Sequence, residues 1–277
     1  MAQATLPASD RSTRRRRRKS TKAAVKSGYR RFKVDLWATS INDVEIGIYQ
    51  QSRHRAKSDQ FTKDMDVIGQ VLEDGSRTGI VAYRMGLWKD KEGVKKRLVL
   101  KLFSQDMNWR ATMELMVGRS LQLTHGAGGV PVTAYALNLS RTEQVIHVER
   151  SANKWPLFPE SFSFFLLTDD GPKYYRLRQR LISLGQDYAV YDQQNRKIGY
   201  IDGKLVSIGG LWKVKIKAEH DDPRLAMALQ LFCTMLRFNK RCRRHVNDLA
   251  ADLNAGRLEV ALESNEQDLY MNPRRMR

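Results

Sequence analysis

The chain has 277 residues, enough for one sizeable domain or two small ones. Its apolar fraction of 42% can supply a hydrophobic core, which excludes a chain disordered throughout, a collagen-like protein and a small disulfide scaffold. The formal net charge of +19 indicates an anionic partner.

Most of the excess positive charge lies in residues 1–34, which hold twelve Lys or Arg and a single acid, Asp10. Six cations stand in a row at its centre: Arg14, Arg15, Arg16, Arg17, Arg18 and Lys19. Like charges packed this closely repel one another, and the segment has few apolar groups to bury. We therefore predict a basic arm over residues 1–34 that is disordered until it is bound.

Residues 29–170 alternate between runs rich in β-branched and aromatic residues and clusters of Asp, Gly, Asn and Lys, a spacing typical of strands and turns. Residues 112–123 fit either a strand or a short helix, because the Met and Leu spacing does not separate the two. The predicted strands are Phe32–Trp37, Val44–Tyr49, Thr78–Tyr83, Arg97–Phe103, Val132–Leu139, Gln144–Glu149 and Ser161–Leu167.

Residues 174–218 form the most regular part of the pattern, in which short strands follow one another through tight turns. Asp192–Asn195 and Asp202-Gly203 are the predicted turns. This arrangement indicates an antiparallel β-meander. Its predicted strands are Tyr174–Leu181, Tyr188–Tyr191, Ile198–Ile201 and Leu211–Ala218.

A helix is predicted to start at Asp222-Pro223, because Asp caps free amide groups and Pro suits the first helical position. Eleven of the fourteen residues from 225 to 238 are apolar, so this helix has to be buried on every side. Its length of about 21 Å falls short of the ~30 Å bilayer core, which favours a core helix over a membrane span. A second, shorter amphipathic helix is predicted over Val246–Ala255, before a polar tail.

Two cysteines, Cys233 and Cys242, are too few for a disulfide framework and match no metal-ligand spacing. This usage indicates a reduced, intracellular protein. We expect a cytoplasmic location, peripheral to membranes if the chain binds them, or a nuclear one if the host is eukaryotic. Cys233 is predicted to be an inert core residue. Cys242 lies among four cations, which fits either a thiol of lowered pKa or a silent surface thiol.

Three short motifs in the meander carry a family resemblance: Arg180-Leu181-Ile182-Ser183-Leu184 followed by Tyr188, the turn at Asp192, and Ile201-Asp202-Gly203-Lys204. Over about residues 174–238 the chain resembles the LURP-one-related family, which belongs with the Tubby C-terminal-like and phospholipid-scramblase barrels. The resemblance implies a mainly β fold, an antiparallel barrel of twelve strands around a hydrophobic helix at 223–240.

This fold would place the barrel at residues 35–240, with an amphipathic helix and polar tail at 241–277. Residues 30–170 carry no clear signature of the family, yet they would have to supply the first half of the barrel.

The resemblance also implies a non-enzymatic binding protein, because relatives bind phosphoinositides or sit at membranes. The arm residues fit an anionic bilayer, where each cation near the surface contributes about 1 kcal/mol. They also fit nucleic acid, where each neutralised phosphate releases counterions. We expect an anionic phospholipid surface as the partner, with nucleic acid as the alternative. A second anion-binding group is predicted in the body, at Arg176, Arg178, Arg180 and Lys204.

A third alternative is a cyclic-dinucleotide receptor. Asp74, Ser76 and Gly79 match the Asp-x-Ser-x-x-Gly element of PilZ domains, and Arg53 to Lys57 lies upstream, where such domains place arginines. An ordinary hairpin turn satisfies the same three positions. The sequence shows no catalytic constellation, metal-ligand spacing or cofactor motif, so we expect no enzyme activity, metal or cofactor.

Overall fold

The computed structural model describes residues 28–37, 59–152, 158–181, 186–204, 209–258, 264 and 266–267. Its strands are β1 (Tyr29–Leu36), β2 (Met65–Glu73), β3 (Ser76–Arg84), β4 (Val99–Ser104), β5 (Trp109–Leu115), β6 (Ala134–Leu139), β7 (Val145–Arg150), β8 (Ser161–Thr168), β9 (Gly171–Gln179), β10 (Tyr188–Tyr191), β11 (Lys197–Lys204) and β12 (Leu211–Lys217). Each strand pairs antiparallel with its neighbours in sequence, and β12 pairs with β1, which closes a twelve-stranded barrel. The predicted fold class is confirmed.

The described ranges include these helices alongside the barrel: α1 (Met85–Lys89), α2 (Val117–Gly126) and α3 (Pro223–Asn254). Short 3₁₀ turns cover Gly93–Lys95 and Ala218–His220. Asp222 begins α3 as predicted, because its carboxylate accepts a hydrogen bond of 2.8 Å from the backbone N–H of Arg224.

The first half of α3 fills the barrel. Residues 228–236 are nine consecutive buried positions, two and a half turns with no solvent-facing side. The inward side chains of all twelve strands join the same hydrophobic cluster. Phe232, for example, meets the ring of Phe162 at 5.1 Å and that of Tyr188 at 5.3 Å, both in edge-to-face geometry.

The two predicted C-terminal helices are one. α3 continues without a break from Pro223 to Asn254, because residues 239–245 contain no Pro or Gly and are compatible with a helix. Cys242, Val246 and Leu249 continue its buried stripe, and α3 packs against α2. Among the described residues, no helix has the length and apolar composition needed to cross a bilayer.

The barrel also differs from the predicted boundaries at its start. β1 begins at Tyr29, so residues 29–34 of the predicted arm belong to the barrel, and Phe32 and Val34 are buried in its core. Residues 1–27 and the predicted strand Val44–Tyr49 lie outside the described residues. The ambiguous stretch 112–123 contains both elements, the end of β5 and most of α2.

A polar cluster surrounds α3 where it leaves the barrel, with Glu160 at its centre. The Glu160 carboxylate accepts hydrogen bonds from Arg150 at 2.5 Å, the Tyr188 hydroxyl at 2.7 Å and the Asn239 amide at 2.8 Å. Arg243 lies 3.4 Å from the same carboxylate. The side chains of Glu160 and Arg150 are nearly buried and compensate each other's charge, and Arg243 adds a second cation beside the Glu160 carboxylate.

The buried helix gives a direct test of the fold. Leu231 is fully buried, so Leu231→Asp would place an unpaired carboxylate in the barrel, at a cost of several kcal/mol against a typical total stability of about 5–15 kcal/mol. We expect this variant to lose cooperative thermal unfolding by circular dichroism. Asn247→Asp, at an exposed position of the same helix, should melt like the wild type. An unchanged melting midpoint for Leu231→Asp would contradict the central role of α3.

Candidate anion-binding surface

The alternation of β1, β11 and β12 places apolar side chains inside the barrel and cations outside. Val34, Val214 and Ile216 point inward and are buried. Their neighbours along the strands, Lys33, Lys213 and Lys215, point outward. We define the basic face as the outward cations of these three adjacent strands: Arg31, Lys33, Lys197, Lys204, Lys213, Lys215 and Lys217.

Like charges stand directly opposite one another where the barrel closes. In the β1–β12 register Lys33 is paired with Lys213 and Arg31 with Lys215. Directly opposed Cβ atoms in an antiparallel pair are about 4.5–5.5 Å apart, and like charges at such positions are destabilising. The fold therefore holds these cations together against their mutual repulsion.

Few acids offset this charge. Lys204 pairs with Asp202 at 3.1 Å, and Lys217 pairs more loosely with Glu219 at 3.7 Å. The other five cations of the basic face form no ion pair with an acid among the residues that the structure describes. The basic face therefore carries a net positive charge that is free to meet an external anion.

Tyr200 lies within the basic face and is flanked by two of its lysines. The Lys215 ammonium lies 5.2 Å from the centre of the Tyr200 ring, and the Lys197 ammonium lies 5.6 Å from it. Each contact is a cation–π interaction, worth about 0.5–1 kcal/mol at an exposed site. The ring thus brings ammonium groups from β11 and β12 to one place.

The predicted body group is split between two places. Arg176 and Arg178 point outward from β9, two strands away from the basic face, and Arg180 is exposed just after β9 ends. Lys204 lies on β11, at one end of the basic face, and not on a continuation of β9. Arg176 donates a hydrogen bond to the Asn195 side chain. The predicted arm cations, Arg14 to Lys19, lie outside the described residues.

Sequence reasoning missed six of the seven cations of the basic face, all except Lys204. Four of them lie on strands that it did place, Lys33, Lys213, Lys215 and Lys217, while Arg31 and Lys197 directly precede predicted strands. The missed signal is the strict alternation of cations with apolar residues at 31–34 and 213–217. That alternation assigns the cations to the outer surface. Only the β1–β12 register shows that two such strands are neighbours.

The PilZ-like residues have structural roles in the hairpin between β2 and β3. Asp74 and Gly75 both adopt positive φ angles, 50° and 81°, as expected for a two-residue Asp-Gly hairpin turn. Ser76 pairs with Glu73 at the start of β3. A Cβ at Gly79 would lie 3.1 Å from the carbonyl oxygen of Phe103, which favours glycine there. The hairpin accounts for all three residues, so the motif gives no independent support for a bound nucleotide.

Of the residues that carry the family resemblance, Ile182, Ser183 and Leu184 lie outside the described residues, and several of the others have local structural roles. Asp192 accepts hydrogen bonds from the backbone N–H groups of Gln194 at 3.0 Å and Arg196 at 2.8 Å, which fixes the β10–β11 turn and, with the Arg196 side chain, lowers the pKa of this carboxyl. Gly203 is packed tightly, because a Cβ there would lie 3.0 Å from the carbonyl oxygen of Gln186. Ile201 is buried in the core.

The cysteines take no part in a surface site. Cys242 is fully buried, which raises the pKa of its thiol to about 12, so the predictions of a surface thiol or of an activated one are both wrong. Cys233 is buried within the barrel, as predicted, and its thiol pKa is also raised by desolvation. Of the described residues, no group of three or more His, Cys, Asp or Glu could hold a metal ion.

No protein-family model, no curated protein and no solved structure matches this chain.

The repulsion across the barrel closure predicts an effect on stability. Lys33→Glu replaces one of two opposed lysines and offers Lys213 an ion pair, so the free energy of unfolding should rise by about 0.2–1 kcal/mol at low salt. The gain should shrink at high salt, where exposed charges are screened. Urea unfolding at two salt concentrations measures both effects. Lys95→Glu, at an exposed position outside the basic face, is the control. A destabilised Lys33→Glu protein would contradict the opposed-lysine geometry.

Proposed function

We propose that this chain is a non-enzymatic protein that binds anionic phospholipid surfaces through the basic face. The observation that carries the proposal is the pair of opposed cations across the β1–β12 closure, Lys33 with Lys213 and Arg31 with Lys215. An arrangement that costs stability in the free protein becomes favourable when phosphate groups lie against it.

The shape of the basic face suits a flat surface. Its three adjacent strands, out of twelve, turn through about one sixth of the barrel circumference, so their side-chain tips can reach one plane together. Five of the seven cations are lysines on β11 and β12. A lysine carries its charge as a mobile point at the end of a long apolar stem, which suits head groups that have no fixed arrangement.

The family resemblance agrees with this proposal. A closed barrel of twelve strands around an apolar C-terminal helix is the architecture that the LURP-one-related and Tubby-like resemblance implies. Because no family model matches, membership in that family is itself part of the proposal.

Nucleic acid is the second candidate, and the arm is the feature that favours it. Arg14 to Lys19 is a run of six cations that ends ten residues before β1, the strand that carries Arg31 and Lys33. The arm and the basic face thus adjoin along the chain. Together they could neutralise several phosphates of a nucleic acid backbone.

Vesicle binding tests the role of the basic face. The combined variant Arg31→Gln, Lys33→Gln, Lys213→Gln and Lys215→Gln should weaken binding to anionic vesicles by up to about 4 kcal/mol, since each cation near the surface contributes about 1 kcal/mol. Co-sedimentation with phosphatidylserine-containing vesicles measures the loss, and vesicles of phosphatidylcholine alone give the baseline.

A control of equal charge separates this surface from net charge. Four exposed lysines outside the basic face are changed to Gln in the control: Lys89, Lys91, Lys95 and Lys240. The control should retain most of the affinity. An equal loss in both variants would show that overall charge governs binding and would overturn the assignment to the basic face.

The arm provides the measurement that distinguishes lipid from nucleic acid. Replacing Arg14 to Arg18 with Ala should reduce vesicle affinity by roughly 5 kcal/mol at most. For a duplex fully engaged by the arm, the slope of log affinity against log salt should fall in magnitude by up to about 4.5. Near physiological salt, we expect the replacement of Arg14 to Arg18 to reduce the affinity for vesicles more than the affinity for the duplex. A larger loss for the duplex would replace the lipid proposal with the nucleic acid one.

A further inference from the structure

The barrel has one weakly paired seam among its described strands, between β7 and β8. These strands are joined through Glu149 with Ser163 and Arg150 with Phe162, whereas β8 pairs with β9 along its whole length. Near the end of β8, the side-chain amide of Gln144 takes the place of a neighbouring strand. It accepts a hydrogen bond of 2.8 Å from the backbone N–H of Leu167 and donates one of 3.4 Å to the carbonyl of Phe165.

A pocket of about 280 Å³ opens at this seam. Met116 and Phe164 contribute apolar walls, and Phe164 belongs to the barrel core, where it is 2% exposed. The pocket lies on the outer surface of the barrel, and its lining at Phe164 adjoins the core. Its volume is just below the usual range for ligand pockets, about 300–1,000 Å³, which suits a short apolar chain or the end of a longer one. The lining is completed by Arg119, His147, Glu149, Ser163 and Phe165.

The charged groups of this pocket largely compensate one another. Arg119 pairs with Glu149 at 3.2 Å. Desolvation lowers the pKa of His147, which favours its neutral imidazole. The first free amides of α2, on Gly118 and Arg119, are taken by the carboxylate of Glu266 at 2.9 and 2.8 Å. The Ser163 hydroxyl and the His147 imidazole remain as neutral polar groups of the lining, and the exposed ring of Phe165 offers apolar surface to a hydrocarbon chain.

The mouth of the pocket has a different character. Phe165 and Leu167 point outward from β8 and are 57% and 59% exposed. Arg176 on β9 stands directly opposite Ser163, and its side chain has no ion pair with an acid in the described part of the chain. With Arg119 and Glu149 at the lining, the charges around the mouth sum to one positive charge.

We propose that the β7–β8 seam binds a single-chain anionic amphiphile, with its hydrocarbon chain in the pocket against Met116 and Phe164 and its head group at the mouth beside Arg176. This site lies on another part of the barrel from the basic face and does not depend on vesicle binding. The Arg176 guanidinium, which now bonds Asn195 and lies 5.7 Å from the Tyr191 ring, has to swing toward β8 to meet the head group.

Calorimetric titration of the full chain with decanoate, below its micellar concentration, tests the proposal. We expect binding with a negative heat-capacity change, the mark of apolar burial. Ser163→Trp fills the pocket from its lining and should lower the affinity about tenfold, the loss expected when roughly two methylenes stay in water. Ser76→Trp, at an exposed serine of the β2–β3 hairpin, should bind as the wild type does.

The head group is tested by comparing ligands. Arg176→Gln should weaken decanoate about fivefold and leave decanol unchanged, because only decanoate carries a charge. Acetate and inorganic phosphate, which have no chain, should not bind at the seam. The basic-face variant should bind decanoate normally, so a failure of the membrane proposal and a failure of this one give different results.

Absence of decanoate binding, or equal binding by wild type and Ser163→Trp, would overturn the proposal. If Ser163→Trp does not fold, photo-crosslinking of the wild type with a diazirine-bearing fatty acid replaces it. Mass spectrometry should then find the label on the segments that line the pocket, 116–119, 147–149 and 163–165. Labelling confined to other segments would contradict the assignment to the seam.

Discussion

A barrel of twelve strands encloses a lumen that has to be filled, and the burial of α3 inside it is the constraint on which the rest of this structure depends. Every strand contributes inward apolar residues to meet the helix, and on β1, β8 and β12 buried residues alternate with more exposed ones. The outward positions of such strands are thereby released from the core. Their side chains can be cationic without any loss of packing, and on β1, β11 and β12 most of them are.

The helix also needs a defined depth in the lumen, which apolar contacts alone specify poorly because they are not directional. The polar cluster where α3 leaves the barrel fixes this depth, because hydrogen bonds are directional. Asn239 on α3 and Tyr188 on β10 both donate to the Glu160 carboxylate, and Arg150 on β7 compensates its charge. Sliding the helix by one turn would move Asn239 away and leave buried polar groups without partners, at a cost of about 1–3 kcal/mol each.

Sequence periodicity predicted the strands of the meander, the start of α3 at Asp222 and its burial, because each depends on neighbours within a few residues. It did not predict that α3 continues past Phe238, since the cations at 240–244 resemble a helix end although they are compatible with a helix interior. The basic face could be predicted only in part. Lys213 and Lys215 alternate visibly, but their opposition to Lys33 and Arg31 depends on a pairing between segments about 180 residues apart. No local pattern encodes that register.

The closure of the barrel and the centre of the basic face therefore depend on the same strand pairing. The β1–β12 pairing that closes the sheet also brings the opposed cations together, so their repulsion acts on the junction itself. An anion that neutralises Lys33 and Lys213 at once would remove repulsion from the closed barrel. It would have no such effect on the unfolded chain, because the two lysines are far apart there. Binding and closure are then linked, and the ligand stabilises the fold by an amount that grows with the logarithm of its concentration above Kd. A polyanion bound as proposed would thus stabilise the junction at which the free protein carries opposed cations.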